Sequence, residues 1–164
     1  MSSLRRIVAA VDLGRVYRLG SEEIVAVRGV SLDVPPGRFI AVVGRSGSGK
    51  TTLLNLMAGL DTATSGTVLF EERDMAEMSE DELIELRRHK IGFVFQTFGL
   101  LPLLTAFENV ELPLRISGVA SRERERRTHD ALEMVGLAAR SRHRPYELSG
   151  GEQQRVAIAR AMVI

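Results

Sequence analysis

One stretch constrains this chain more than any other. Gly44-Arg45-Ser46-Gly47-Ser48-Gly49-Lys50-Thr51 satisfies the pattern G-x-x-x-x-G-K-[ST] at each fixed position. The pattern carries meaning only between a strand and a helix, and the flanking residues offer both. Phe39-Ile40-Ala41-Val42-Val43 is a short β-branched and aromatic run, expected as a strand buried on both faces. Thr52-Leu53-Leu54-Asn55-Leu56-Met57-Ala58 has helical spacing and is expected to stop near Gly59. Glycines at these places let the backbone wrap a multiply charged anion with its N–H groups, at the positive end of the following helix. Lys50 would add a point charge at the β- and γ-phosphates of a nucleoside triphosphate, and Thr51 a hydroxyl to the Mg²⁺ that bridges them. Lysine occurs only at Lys50 and Lys90, which sharpens the setting of Lys50. The alternative is a glycine-rich turn with a solvated lysine.

The rest of the 164-residue chain is of ordinary globular character, with 45% hydrophobic and 26% charged residues. Its 22 basic and 21 acidic side chains leave a formal charge of +1, so no global field points to nucleic acid or an anionic membrane. Cysteine is absent, which excludes thiolate chemistry and cysteine metal sites and fits a reducing compartment. The apolar runs are far too short to span a bilayer, and Met1-Ser2-Ser3-Leu4-Arg5-Arg6 has no apolar region behind it for a leader.

Ile24 to Val34 alternates at period two and reads as a half-buried strand with a bulge at Gly29, ending at Pro35-Pro36-Gly37. Gly66 to Phe70 and Ile91-Gly92-Phe93-Val94-Phe95 read as further strands, the latter buried. Ser79 to Arg88, Thr105 to Ile116 and Ser121 to Gly136 read as helices, the first with a Ser79–Glu82 capping box, the second with Pro113 inside it. Tyr146-Glu147-Leu148-Ser149-Gly150-Gly151-Glu152-Gln153-Gln154-Arg155 then opens a last helix, with Ser149 as N-cap and Glu152 completing a capping box. Two glycines in a first turn cost about 1 kcal/mol each relative to alanine. Close backbone approach to an anion is a reason to keep them; a loose helix start is the plainer one.

Three ordered motifs, Gly44 to Thr51, Val94-Phe95-Gln96 and Leu148-Ser149-Gly150-Gly151-Glu152-Gln153, together resemble the nucleotide-binding domain of ABC transporters. The stretch from Phe95 to Val110 and the closing Gln153 to Ala161 look like the lipoprotein-releasing and macrolide-export type. The resemblance implies an α/β fold: a RecA-like P-loop NTPase core with an N-terminal antiparallel β region, over 1–95, and a helical subdomain with the signature helix, over 96–164. It implies ATP and Mg²⁺ as ligands. Nucleotide contacts would come from Tyr17, stacked on adenine, from Gly44, Arg45, Ser46, Gly47, Ser48, Gly49, Lys50, Thr51 and Thr52, and from Ser149, Gly150, Gly151, Glu152 and Gln153, which would cap ATP held by a second subunit. Thr51 and Gln96 would serve the metal, and Gln96 the lytic water. The partners implied are a transmembrane permease and a second nucleotide-binding subunit, with no nucleic acid, on the inner face of the cell membrane. Without the family, Tyr17 reads as packing at a strand end, and Arg122-Glu123-Arg124-Glu125-Arg126-Arg127 reads as a solvated helix face.

A P-loop ATPase also needs an acidic residue ending an apolar strand and a water-positioning group beside it. In this family both follow the signature helix, as does the switch histidine. Here Ala161-Met162-Val163-Ile164 closes the sequence without helix-ending chemistry. Val68-Leu69-Phe70-Glu71-Glu72 precedes Gln96 and lacks the aspartate, and His89, His129 and His143 all precede the signature. The expectation is therefore a truncated ATPase subunit, lacking the final third of its core, poorly stable alone, binding ATP weakly and deficient in hydrolysis. The rival expectation is a non-catalytic nucleotide-binding or interaction module that another chain completes. A soluble ABC ATPase of DNA repair fits less well, since long heptads and metal-binding cysteines are absent, and one of translation fits less well because of the exporter-like residues.

Overall fold

The computed structural model describes residues 6–164; Met1 to Arg5, where a leader would begin, lie outside them. The chain forms two compact units, Met1–Leu83 and Ile84–Ile164.

The first unit is built on an antiparallel sheet. Strand β1 (Val8–Leu19) lies between β2 (Glu22–Val34) and β3 (Ser65–Phe70), and the short β4 (Arg73–Asp74) continues it in the order β2-β1-β3-β4. The expected strands from Ile24 and from Gly66 are present. Gly29 sits at φ +58°, where the pairing steps from Leu13↔Val30 to Arg15↔Val27, so the bulge is present as well. β1 carries no clean period-two signal because its pairing is irregular at Val11–Asp12, where Asp12 adopts φ +47°. Ala9 and Ala10 are thus both buried, and Leu13 returns to the core. Helix α1 (Lys50–Met57) lies against β1 and β2 and buries Leu53, Leu56 and Met57.

The expected buried strand at Phe39–Val43 does not form. No strand pairs with it among the described residues, and Phe39 and Val43 are 94% and 87% exposed. An apolar run records a tendency to be buried, but a strand exists only where a neighbour supplies its ladder of hydrogen bonds. Ile91–Phe95 is corrected for the same reason: it has no strand assignment, and Val94 and Phe95 are exposed.

Helix α2 (Glu80–Lys90) opens on the expected capping box, with the Ser79 hydroxyl and N–H both bonded to the Glu82 carboxylate. The second unit is helical: α3 (Ala106–Ile116), α4 (Ser121–Met134) and α5 (Gly150–Met162) enclose a core of Val110, Leu114, Leu132, Leu137, Val156, Ala159 and Val163. Thr105 caps α3 in a full capping box, and Pro113 lies inside that helix. Asn109 is fully buried and pays for that burial in hydrogen bonds. Its amide donates to the carbonyls of Leu101, Leu104 and Thr105 and its oxygen accepts from Leu101 N–H, which pins the loop before α3.

Candidate functional site

The loop from Gly44 to Ser48 is exposed and closes around the one lysine that follows it. Lys50 Nζ donates to the carbonyls of Gly44 at 2.9 Å and Arg45 at 2.7 Å and lies 3.5 Å from Ser48 Oγ, while Ser48 N–H donates to the Arg45 carbonyl at 3.2 Å. The turn is therefore wrapped rather than stretched. Gly49 occupies the N-cap of α1 at φ +86°, and a Cβ there would sit 2.0 Å from the Ala26 carbonyl oxygen of β2. Only glycine meets both conditions. Among the described residues no side chain caps α1, and its first turn holds no acidic residue. The N–H groups that a helix start leaves unmatched are thus not met by a side chain. A cleft of about 470 Å³ lies beside the loop, but valines 25, 27, 30, 42 and 43 make up much of its wall. That makes it the loop's apolar flank, distinct from the concavity of the loop itself.

Thr51 and Thr52 stand in the first turn of α1, Thr51 exposed. No group of three His, Cys, Asp or Glu suited to a metal occurs among the described residues. Mg²⁺ does not need one, because it is commonly held by one or two protein oxygens together with phosphate oxygens and water. The single hydroxyl of Thr51 fits that use.

Tyr17 is half-buried on β1, where its neighbours pair as Val16↔Val25 and Arg15↔Val27, beside the stretch of β2 that Gly49 touches. Its hydroxyl donates to Asp61 at 2.6 Å.

In the second unit, α5 starts as expected. The Ser149 hydroxyl accepts from Glu152 N–H, and the Glu152 carboxylate accepts from Ser149 N–H at 2.8 Å and from its hydroxyl at 2.7 Å. These bonds, those of the side chain first, hold the Glu152 carboxyl below the usual glutamate range. Gln153 Nε2 donates to the Leu148 carbonyl at 3.0 Å. Ser149, Gly150 and Gly151 are exposed, and an added Cβ would meet nothing closer than 4.0 Å at Gly150 or 3.9 Å at Gly151. Neither glycine is required by its own surroundings.

Gln96 also belongs to the second unit and is exposed. Just after it, Phe98 and Gly99 adopt φ +61° and +58°, and Arg160 of α5 donates to the Gly99 carbonyl at 2.6 Å and the Phe98 carbonyl at 2.9 Å. Half-burial pulls the Arg160 guanidinium below the ordinary arginine value. At Gly92 a Cβ would fall 2.1 Å from the Ala161 carbonyl oxygen, so the same helix is packed backbone to backbone on the segment preceding Gln96. The sequence reading did not single out Arg160. Its signal is an arginine on the otherwise apolar side of α5, next to buried Ala159.

Residues 27–164, well over half of the chain, match the ABC transporter family. The chain belongs to that family. It is 49% identical over 159 residues to an uncharacterised ABC transporter ATP-binding protein of Thermotoga maritima, covering 97% of this chain and 68% of the relative. It is 44% identical to the macrolide export ATP-binding/permease protein MacB of Marinobacter nauticus, covering 98% of this chain and 25% of that protein. Among solved structures it resembles the ATP-binding cassette MJ0796, in a dimeric post-hydrolysis state bound to ADP and Pi. The TM-score is 0.89 at 44% identity, with 95% of this chain and 69% of that one covered. The chain thus spans about two-thirds of the ATP-binding proteins and a quarter of the ATP-binding/permease protein. The ABC assignment bears out the resemblance drawn from the three motifs, and the mixed α/β fold with it. No helix among the described residues is long and apolar enough to cross a membrane.

Proposed function

We propose that this ABC family member is the ATP-binding subunit of a transporter, using Lys50 and the amides of Gly47 to Thr51 to hold the phosphates of ATP. One observation carries the reading: a glycine loop wrapped around Lys50, leading into a helix whose start no side chain caps. An anion is what such a helix start stabilises. The Lys50 ammonium, bonded to two loop carbonyls, is preset at the mouth of the loop and would exchange them for phosphate oxygens. Thr51 would hold Mg²⁺, which supplies charge neutralisation at the phosphates when bound. Gln96 takes the metal and lytic-water role by family likeness, and Tyr17 takes the adenine in the same way.

In the whole protein, the proposed sequence is ATP binding, closure of two copies head to tail so that Ser149 to Gln153 of one meet the nucleotide of the other, then hydrolysis that drives a membrane permease. The dimeric state of MJ0796 and the word permease in relatives' names support this, as do exposed glycines at α5 that nothing among the described residues demands. Attachment to the inner face of the membrane would come through that permease. Calorimetric titration with ATP is the test. Lys50→Ala should weaken binding on the order of a hundredfold, the value of two charge-assisted hydrogen bonds, and unchanged affinity would end the reading.

A further inference from the structure

The phosphate chemistry leaves one cluster of the first unit unused. Asp61 follows the turn after α1, and three groups converge on its carboxylate. Tyr17 Oη donates to Oδ2 at 2.6 Å, the Arg15 guanidinium reaches Oδ1 at 2.7 Å, and Thr62 N–H donates to Oδ1 at 2.7 Å. Arg15 and Asp61 are only 23% and 20% exposed, so the pair is partly sheltered from solvent screening. The Arg15 guanidinium also lies 4.5 Å from the centroid of the Tyr17 ring and covers one of its faces. Its Nε is buried without a hydrogen bond, a cost that the ion pair and ring contact must offset. The backbones are stitched together as well, by Thr64 N–H to the Gly14 carbonyl at 2.8 Å and Val16 N–H to Thr64 Oγ1 at 3.0 Å.

An ordinary half-buried strand tyrosine does not need this much. Here hydroxyl, one ring face and strand are each held by a different group, and the face opposite Arg15 is the one a ligand would use. A cation on one face draws π density from the ring, which suits it to an electron-rich heteroaromatic on the opposite face. Holding the ring in place beforehand removes ordering cost from binding.

We propose that Arg15 and Asp61 are positioning residues that fix the Tyr17 ring as a preformed platform for the base of a nucleoside triphosphate. The proposal rests on the readings of Lys50 and Tyr17 given above, and what it adds is the pair, Arg15 on β1 and Asp61 in the turn after α1, that holds the ring in place. Burial pushes the Asp61 carboxyl up, but the Tyr17 hydroxyl, the Thr62 N–H and Arg15 outweigh it and hold the group below the usual aspartate range, consistent with an ionised anchor.

The test is a comparison of ATP with inorganic tripolyphosphate, which has the phosphates and no base, by calorimetry on the unaltered chain and four variants. Tyr17→Ala should weaken ATP roughly tenfold to a hundredfold. Tyr17→Phe, which removes the hydroxyl that donates to Asp61, and Asp61→Asn, which removes the charge paired with Arg15 and leaves one acceptor oxygen, should each weaken ATP roughly threefold to tenfold. Neither should move tripolyphosphate affinity, and the double variant Tyr17→Ala/Asp61→Asn should bind ATP no worse than Tyr17→Ala alone. Tyr17→Phe keeps the carboxylate and its pairing with Arg15, so it reads the contact even if Asp61→Asn unfolds the chain. ATP binding that is unchanged or tightened in Asp61→Asn and Tyr17→Phe overturns the platform. So does equal weakening of both ligands, the mark of a general structural role. Failure of tripolyphosphate to bind the unaltered chain overturns the phosphate-loop reading, and this proposal with it.

Discussion

Two helices of this chain begin on glycine, and they begin in opposite ways. At α1, Gly49 is locked by φ +86° and by the Ala26 carbonyl, while no side chain caps the helix and no acidic residue stands in its first turn. At α5, Ser149 and Glu152 satisfy each other's N–H groups in a complete capping box, while Gly150 and Gly151 have room for a side chain. The first start needs its glycine for its own fold and leaves its electropositive end for something else. The second is finished internally and has glycines with no internal purpose. On the proposed function, a phosphate bound within the chain would account for the first, and a surface kept bare for close approach from outside would account for the second.

The contrast can be broken by substitution. Gly49→Ala should cost about 3 kcal/mol, combining left-handed strain with a clash against rigid backbone; a denaturant melt within 1 kcal/mol of the parent would contradict the assigned role. Ser149→Ala should cost about 1 kcal/mol by removing the cap of α5. Gly151→Ala should go the other way and stabilise by roughly 0.5–1 kcal/mol, sharpening the claim that this glycine serves an encounter rather than the fold.

The smallest effect is one of pH. The Glu152 carboxyl is depressed in the folded chain, so the unfolded chain takes up its proton first as acid is added. Its contribution is fully present above the ordinary glutamate value of 4.5 and is lost as pH falls below it. Glu82, pushed down to about 2 by its hydrogen bond to Arg73 and those to Ser79, behaves alike at α2. α1 has no first-turn carboxylate to contribute. Acid melts of Ser149→Ala should therefore show a shallower loss than the parent as pH falls below 4.5, and equal slopes would count against the capping account.

Both helix starts were legible in the sequence because their signals are local: a fixed octet in one case, Ser149 followed by Glu152 in the other. The same locality made Ser79–Glu82 and the Gly29 bulge readable. What the sequence did not disclose depends on partners far along the chain. Tyr17 meets Asp61 across 44 positions, and Arg160 meets Phe98 across 62; neither spacing leaves a period to detect. β1 was hidden by its own irregularity at Asp12, which breaks the alternation that marks a strand. Phe39–Val43 failed in the other direction: its side chains signal burial, yet among the described residues no neighbouring strand completes a ladder with it.

The most direct test of the central claim follows the backbone amides themselves. In nuclear magnetic resonance spectra of the chain titrated with Mg²⁺ and ATP, the N–H signals of Gly47, Ser48, Gly49, Lys50 and Thr51 should move strongly and saturate together, with Gly150 and Gly151 unmoved while the protein stays monomeric. Saturable ATP binding that leaves the Gly47 to Thr51 amides in place would contradict it.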